Sequence, residues 1–375
     1  MRTVRRLLYK DIVGSVVLVL LAFMSLFFFI DFVDELDRMA RIGAGAGQAA
    51  LLALMELPGQ FYELFPIAVL IGSILALARL AQSSEFTILR TGGLGPARAL
   101  SLLAGLAAVF ATLTFVVGDY VAPQFERHSD EMRARFNRDT RTTERGAWLK
   151  DHLKVDGQDR SYSVKVGQVG PGGELKEVRI FEFDAVGALL SRTEAAQASV
   201  DANGRWHLQN VQRTLWTPRL TGVAASVGDV VVSEQQLPTM DWQSSLHAGV
   251  IAAAVLPASS MSTVELLRYT NHLSAQEQSS QAYSIQFWRK AFYPFACFVM
   301  VALALPFAYL HGRSGGISLK VFGGIMLGIS FVLLNNVAGH LGLLENWIPW
   351  VVAATPSLIY LALSMAAFTW LVRYR

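Results

Sequence analysis

This sequence carries little equipment for covalent chemistry. It holds one cysteine, Cys297, so no disulfide can form within the chain, and any domain outside a membrane must be held by its own core. Cys297 lies in an apolar run and reads as a small buried residue. No G-x-x-x-x-G-K-[ST] occurs, which excludes ATP hydrolysis by a P-loop. H-E-x-x-H, C-x-x-C and clustered His/Cys sets are also missing, so no metal is expected. Gly312-Arg313-Ser314-Gly315-Gly316 matches G-x-S-x-G, but a nucleophile elbow needs a strand before it and a helix after it. Here the motif falls in a short basic turn between two apolar runs and reads as a flexible turn. Charge is scarce as well. Charged residues make up 16% of the chain, against about a quarter in soluble domains. The formal net charge of +3 is too small to point to nucleic acid.

What fills the sequence is apolar: 53% of residues, with a mean hydropathy of +0.39. A spanning helix needs about 20 mostly apolar residues. Five runs qualify: Ile12–Ile30, Phe65–Ala78, Ala99–Gly118, Phe292–Leu310 and Val321–Leu344. The second is short, and apolar Ala49–Phe61 upstream extends it. Trp350–Val372 is the sixth, with Pro349 suited to its first turn. The first run follows four basic residues like a signal peptide, but it ends in Phe28-Phe29-Ile30-Asp31 without a small-x-small cleavage site. It reads as an uncleaved span.

Basic residues cluster at the N-terminus, at Arg79, Arg90 and Arg98, at Arg313 and Lys320, and at Arg373 and Arg375. With six spans these share one side, which is expected to be the cytoplasm. Asp31, Asp34, Glu35, Asp37 and Glu345 fall opposite. Arg289-Lys290 also falls outside, and is expected to snorkel to headgroups. Within the spans ionisable residues are scarce. His340 is the nearest case and reads as hydrogen-bonded packing. An energy source is therefore expected in a partner ATPase rather than in this chain, with no cofactor bound here.

Between spans three and four the pattern changes. His128–Arg145 is highly charged and continues span three as a helix into a linker. Ser161–Val169, Glu177–Phe183, Arg205–Val211 and Gly228–Val232 read as short strands between Gly-rich turns, predicting a β sandwich or roll. Ser262–Ala282 reads as an amphipathic helix with a Ser/Thr cap. The expected division is 1–127 for spans one to three, 128–261 for linker and β domain, and 262–375 for the connecting helix and spans four to six.

Three places invite a functional reading. Ser83 or Ser84 can cap a short cytoplasmic helix at about 82–92, with Glu85 in its first turn, where the dipole favours an anion. Phe86 and Leu89 share one face of it. This helix either presses into a partner ATPase or lies on lipid. Ala68, Gly72 and Ala76, and the pair Gly324 and Gly328, allow close helix contact, within the bundle or with a second subunit. Arg38 at the outer end of span one, and Arg127, Arg133, Arg135 and Arg138 beyond span three, are either a solvated face or a basic rim for anionic headgroups, since arginine binds phosphate bidentately.

The residues as a set resemble the permease subunits of the lipopolysaccharide export ABC transporter. The resemblance rests on Asp34-Glu35-Leu36, Leu80-Ala81-Gln82-Ser83-Ser84-Glu85, Val121-Ala122-Pro123-Gln124, Phe287-Trp288-Arg289-Lys290, Gly339-His340-Leu341-Gly342 and Asn346-Trp347-Ile348-Pro349. Their order covers essentially the whole chain, and the last region looks more like the G-type subunit. The resemblance implies six transmembrane helices around a periplasmic β-jelly-roll-like domain, in the bacterial inner membrane with both termini cytoplasmic. It implies a heterodimer with an F-type subunit, two copies of a cytoplasmic ATPase that carries ATP and Mg, and a single-span periplasmic bridge protein. Glu85, Phe86, Leu89 and Arg90 would couple to the ATPase. Arg38, Arg133 and Arg135 would meet the lipid's phosphates, and Phe27, Phe28 and Phe65 would line the cavity. Asp31 and Asp37 stand where the family often has basic residues. A non-transporting membrane scaffold or sensor with a ligand-binding β domain is the alternative, and a hydrolase at Ser314 a distant third.

Overall fold

The computed structural model describes residues 2–83, 85–91, 95–136, 147–155, 158–169, 174–201, 204–218, 230–247, 250–251, 254, 258–275, 280–309 and 316–373. The G-x-S-x-G turn therefore lies outside the described residues. The chain forms two compact units, one of Met1–Asn137 with Ser284–Arg375 and one of Arg138–Tyr283.

The first unit is helical. Helix α1 spans Arg2–Arg41 and α2 spans Ala46–Gln82. Gly43 turns the chain between them at a φ of +73°, and Ala44 N–H donates to the Met39 carbonyl at 2.9 Å. This closure needs a left-handed residue, which glycine supplies freely. Helix α3 (Glu85–Thr91) is short. Helix α4 (Pro96–Val116) passes through a π turn at Val117–Val121 into α5 (Ala122–Phe136), so span three continues as a helix to Phe136, and the rest of the expected His128–Arg145 segment lies outside the described residues. Helices α7 (Gln281–Phe292) and α8 (Phe295–Tyr309) meet at a bend of 52° and together are long and apolar enough for one span. Pro294 at the break lacks the N–H a continuous helix requires. Helices α9 (Ile317–Leu344) and α10 (Pro349–Arg373) complete the unit. Five helices are long and apolar enough to cross a membrane, and the bent pair makes six.

Helix α2 is the centre of this unit, packed by α1, α5, α8 and α9. Its side chains Leu70, Ile74 and Leu77 join Ile12, Leu103 and Met300 in one core. Small residues set the spacing. A Cβ on Gly72 would stand 2.5 Å from the Val16 Cα, one on Gly324 2.6 Å from Ile74, and one on Gly328 3.0 Å from Ile67. Both small-residue patterns thus serve contacts inside the chain's own bundle. Cys297 is fully buried, with its Sγ 3.3 Å from Thr114 Oγ1.

The second unit holds the β domain. Six strands, β1 (Ala147–Val155), β2 (Gln158–Val169), β3 (Leu175–Phe183), β4 (Leu189–Val200), β5 (Arg205–Pro218) and β6 (Val230–Gln243), form one antiparallel sheet in sequence order. Strands β2, β3 and β5 contain the expected segments, and β6 begins within the fourth, Gly228–Val232, whose first two residues lie outside the described residues. Strands β1 and β4 were not expected: Lys150, Asp151 and Lys154 break up the apolar residues of β1, and β4 carries three alanines with Arg192, Glu194 and Gln197 among them. Pairing on both sides holds β4 in place regardless. Helix α6 (Thr263–Ala275) is capped reciprocally by Ser262 and Glu265, at 2.9 and 3.3 Å. It ends short of the expected Ala282.

The sheet rolls until its edges meet. Asp151 on β1, fully buried, accepts hydrogen bonds from Ser244 Oγ at 2.6 Å and from Ser245 N–H at 2.9 Å, just past β6. Tyr162 of β2 lies 5.4 Å from the Trp242 ring of β6. Inside is a cavity of about 520 Å³ lined from all six strands. Its wall is apolar at Leu153, Ile180, Met240 and Trp242, and charged at Arg160, Glu182 and Arg213.

Buried Glu182 accepts from Ser191 Oγ at 2.6 Å, and Arg160 also donates to it. Burial alone would raise its carboxyl, but bonds from Ser191 and Arg160 outweigh that and hold it below the ordinary value. A depressed carboxyl stabilises the fold above its unfolded pKa, about 4.3, and loses that contribution as pH falls through the folded value. Protection of β2–β4, corrected for the intrinsic pH dependence of exchange, should therefore hold down to about pH 4.3 and fall below it, and Glu182→Gln should flatten that fall. An unchanged profile in that variant would exclude Glu182 as its source.

Candidate functional site

At about 1.5 Å per residue, a helix of α1's length reaches about 60 Å, roughly twice the hydrocarbon thickness. Its C-terminal turns therefore extend beyond the apolar run and carry Asp31 to Arg41. There α1, the start of α2, and α5 come together. Glu35, only 2% exposed, accepts from Arg133 Nη2 at 2.6 Å and Nε at 3.1 Å, and from Arg38 Nη1 at 3.1 Å. All three donors use Oε1, while Oε2 is buried without a hydrogen-bond partner among the described residues. Arg133 also donates to Glu56, and Asp130 lies 3.8 Å from its Nη1. Burial would lower the Arg133 guanidinium, but its bonds to Glu56 and Glu35 more than compensate and hold it above its ordinary value.

The two acidic residues in doubt have local partners. Asp31 accepts from Gln60 of α2, and Asp37 pairs with Arg41 at 2.6 Å. The Arg135 side chain lies outside the described residues. Phe27 and Phe28 are half-buried on α1. Phe65 lies in the core of the bundle. It is 2% exposed, with its ring 4.8 Å from Phe61 and 5.6 Å from Phe110. The spacing of α2 could not give its direction, because α2 is apolar on every side.

At the opposite end, α3 places Glu85 in its first turn, exposed. Leu89 packs against the core of the bundle. Ile88, passed over in the sequence, is the exposed apolar side chain, at 66%. The side chains of Phe86 and Arg90 lie outside the described residues.

A third polar cluster sits within the bundle. Of the pair expected at headgroups, Arg289 is half-buried and Lys290 is turned into the bundle. Lys290 is buried, with Nζ 6.0 Å from the Tyr62 ring, and Arg289 donates to Asn336 Oδ1 at 3.2 Å. Buried Asp119 lies on the π turn, where a Cβ on Gly118 would collide with the Tyr62 ring. Tyr293 donates to the Glu63 carbonyl at 2.6 Å. His340 is exposed, its Nδ1 2.8 Å from the Asn336 carbonyl of its own helix.

A family profile described as "Lipopolysaccharide export system permease LptF/LptG" matches residues 6–372. The chain belongs to the LptF/LptG permease family. Among relatives, the lipopolysaccharide export system permease protein LptG of Escherichia coli K12 is 27% identical over 320 residues, 84% of each chain. LptG of Haemophilus influenzae Rd is 25% identical over 362 residues, 96% of each. The G-type likeness agrees with both names. The LptF/LptG match runs through the helical unit and the β domain alike, so the two are parts of one permease architecture.

Within this LptF/LptG chain, Asp34-Glu35-Leu36 is the segment that holds Arg133, and Phe287-Trp288-Arg289-Lys290 is the helix that turns Lys290 inward. Glu56 was missed in the sequence. Its only signal there was a single carboxylate within the apolar stretch that extends span two, which marks an ionisable residue in need of a partner.

Proposed function

We propose that this chain is the G-type permease subunit of a transporter that takes lipopolysaccharide from the outer leaflet of the inner membrane and passes it toward a periplasmic bridge. The observation that carries this reading is Arg133: a half-buried guanidinium at the outer end of a helical bundle, in a chain that belongs to the LptF/LptG family. Arg133 and Arg38 are the phosphate ligands, with Arg135 on the same helix. Phe27 and Phe28 face the acyl chains. Moving such chains out of a bilayer exposes surface at about 0.8 kcal/mol per CH₂, which an apolar cavity offsets. An F-type subunit forms the other half, and two copies of a soluble ATPase press on α3 through Glu85, Phe86 and Arg90, with exposed Ile88 in place of Leu89, which packs on the bundle. A single-span bridge protein receives the lipid. The β domain and the Asp31–Arg41 end of α1 lie in the periplasm, and both termini in the cytoplasm.

Purification of the chain in mild detergent, with mass spectrometry of all that accompanies it, should recover a soluble ATPase and lipopolysaccharide. Arg133→Ala should lower the lipopolysaccharide recovered about tenfold, the loss expected for a hydrogen bond to a charged group. Equal recovery in that variant would refute the role of Arg133. The cavity inside the β roll favours a second reading, a sensor that transports nothing. Photo-crosslinkers at Ile180 and Met240 separate the two, since a sensor of another ligand gives no lipopolysaccharide adduct.

A further inference from the structure

The two ends of α1 treat their cations differently. At the end that carries Asp31 to Arg41, Arg38 pairs with Glu35 and Arg41 with Asp37. At the other end Arg5, Arg6 and Lys10 are exposed and make no hydrogen bond or ion pair among the described residues. With Tyr9 and Val13 they line a groove of about 540 Å³. We infer that this groove holds the headgroup of an anionic glycerophospholipid of the cytoplasmic leaflet, a resident lipid rather than cargo. The inference rests on the cytoplasmic placement of the N-terminus proposed above.

Helix α1 has two faces here. Leu8, Ile12 and Val16, spaced four apart, are buried, and Val16 packs on Gly72 of α2. The other face carries Arg6 and Lys10 and then Val13, Val17 and Leu21, which are 37%, 46% and 62% exposed. Residues three and four apart stack on one side of a helix, so the cations head a continuous apolar stripe. A phospholipid presents its groups in the same order, phosphate first and acyl chains below. Tyr9 walls the groove on one side, because its hydroxyl donates to the Leu102 carbonyl of α4 at 2.8 Å. No carboxylate lines the groove, and Asp11, the nearest acid in sequence, is half-buried beside it. The positive charge comes from side chains one to three turns into α1, and the backbone amides of its first turn take no part. A soluble acidic protein could meet the cations but would leave the stripe below them uncovered. Three cations facing one phosphodiester leave positive charge unmatched, so a lipid with two phosphodiesters fits better than a lipid with one. Each basic residue beside an anionic leaflet strengthens binding about fivefold.

The test places the full chain in nanodiscs of phosphatidylethanolamine with cardiolipin or phosphatidylglycerol as the minor component. Native mass spectrometry counts the lipid retained. Cardiolipin should be held in preference to phosphatidylglycerol, and both in preference to phosphatidylethanolamine. R6Q/K10Q should lower retained cardiolipin at least about tenfold, while R6K/K10R, which keeps the charge, should retain it as the unaltered protein does. These side chains are exposed, so none of the changes removes a packing contact. Arg41→Gln takes a cation from the other end of α1 and should change nothing. Equal retention in R6Q/K10Q overturns the site, and so does an equal loss in Arg41→Gln, which would reduce the effect to net charge. If R6Q/K10Q lowers recovery of the soluble ATPase and not of lipid, the groove is a protein contact and the lipid assignment falls. Nanodiscs offer the same lipids on both faces, so these results are independent of sidedness. A charged maleimide applied to spheroplasts reports sidedness separately. Arg2→Cys should stay unlabelled, with Cys297 silent because it is buried. Labelling there overturns the cytoplasmic-leaflet assignment while the lipid result stands.

Discussion

Glu85→Arg should abolish ATP turnover coupled to export while the chain still inserts and folds. The effect is expected to be large because of where the charge sits. Glu85 opens α3, with the positive end of the helix dipole beneath it, and its side chain is exposed rather than used in the bundle. A partner that meets this turn meets a negative charge on a helix N-terminus, and arginine there would present the wrong sign to both. Placing a like charge in a docked contact costs several kcal/mol, so turnover should fall by at least about thirtyfold. Thermal unfolding and membrane yield should stay near those of the unaltered protein. Export at the normal rate in this variant would remove α3 from the coupling path. Ile88→Ser offers an independent probe, since Ile88 and not Leu89 is the apolar side chain that α3 presents outward.

Gly72→Ala should be among the most damaging single-methyl changes in the helical unit. The added Cβ would lie 2.5 Å from the Val16 Cα and 2.6 Å from its N. Those are backbone atoms in mid-helix, and no rotamer change relieves them. Helices α1 and α2 would have to part, losing contacts around Ile12, Val16 and Val69. Overpacking of this kind costs about 1–3 kcal/mol or more. Gly323→Ala is the matched control, because nothing lies within 4 Å of a Cβ there, and helix propensity predicts a gain of about 0.5–1 kcal/mol. Thermal unfolding in detergent should separate the two variants with opposite signs. Equal shifts would mean that α1 and α2 do not approach at Gly72.

The sequence announced the spans because a bilayer imposes a length and a composition that little else imitates. Within them it was less informative. Residues such as Phe27 and Phe65 have the same composition around them, yet one is half-buried and the other lies in the core. An all-round apolar helix carries no stripe from which to read direction. Gly72, Gly324 and Gly328 were visible as places of close approach, but not what approached them. Strands β2, β3 and β5 declared themselves through β-branched and aromatic alternation. Strand β4 did not, because its place is set by neighbours on both sides rather than by its own preference. Arg133 was legible as a basic residue at the right end of the right helix. Its engagement by Glu35 and Glu56 was not, since those partners stand 98 and 77 positions away.

The seam between Asp151 and Ser244 also sets an order on biosynthesis. The partners are separated by 93 positions, and a contact between such distant residues forms late and slowly. Strands β1 to β5 can zip up as successive hairpins, but the hydrogen bonds that Ser244 and Ser245 give to Asp151 cannot form until the ribosome has passed Ser245. Nascent chains cut short before that residue should stay protease-sensitive, with the first strand still able to peel away.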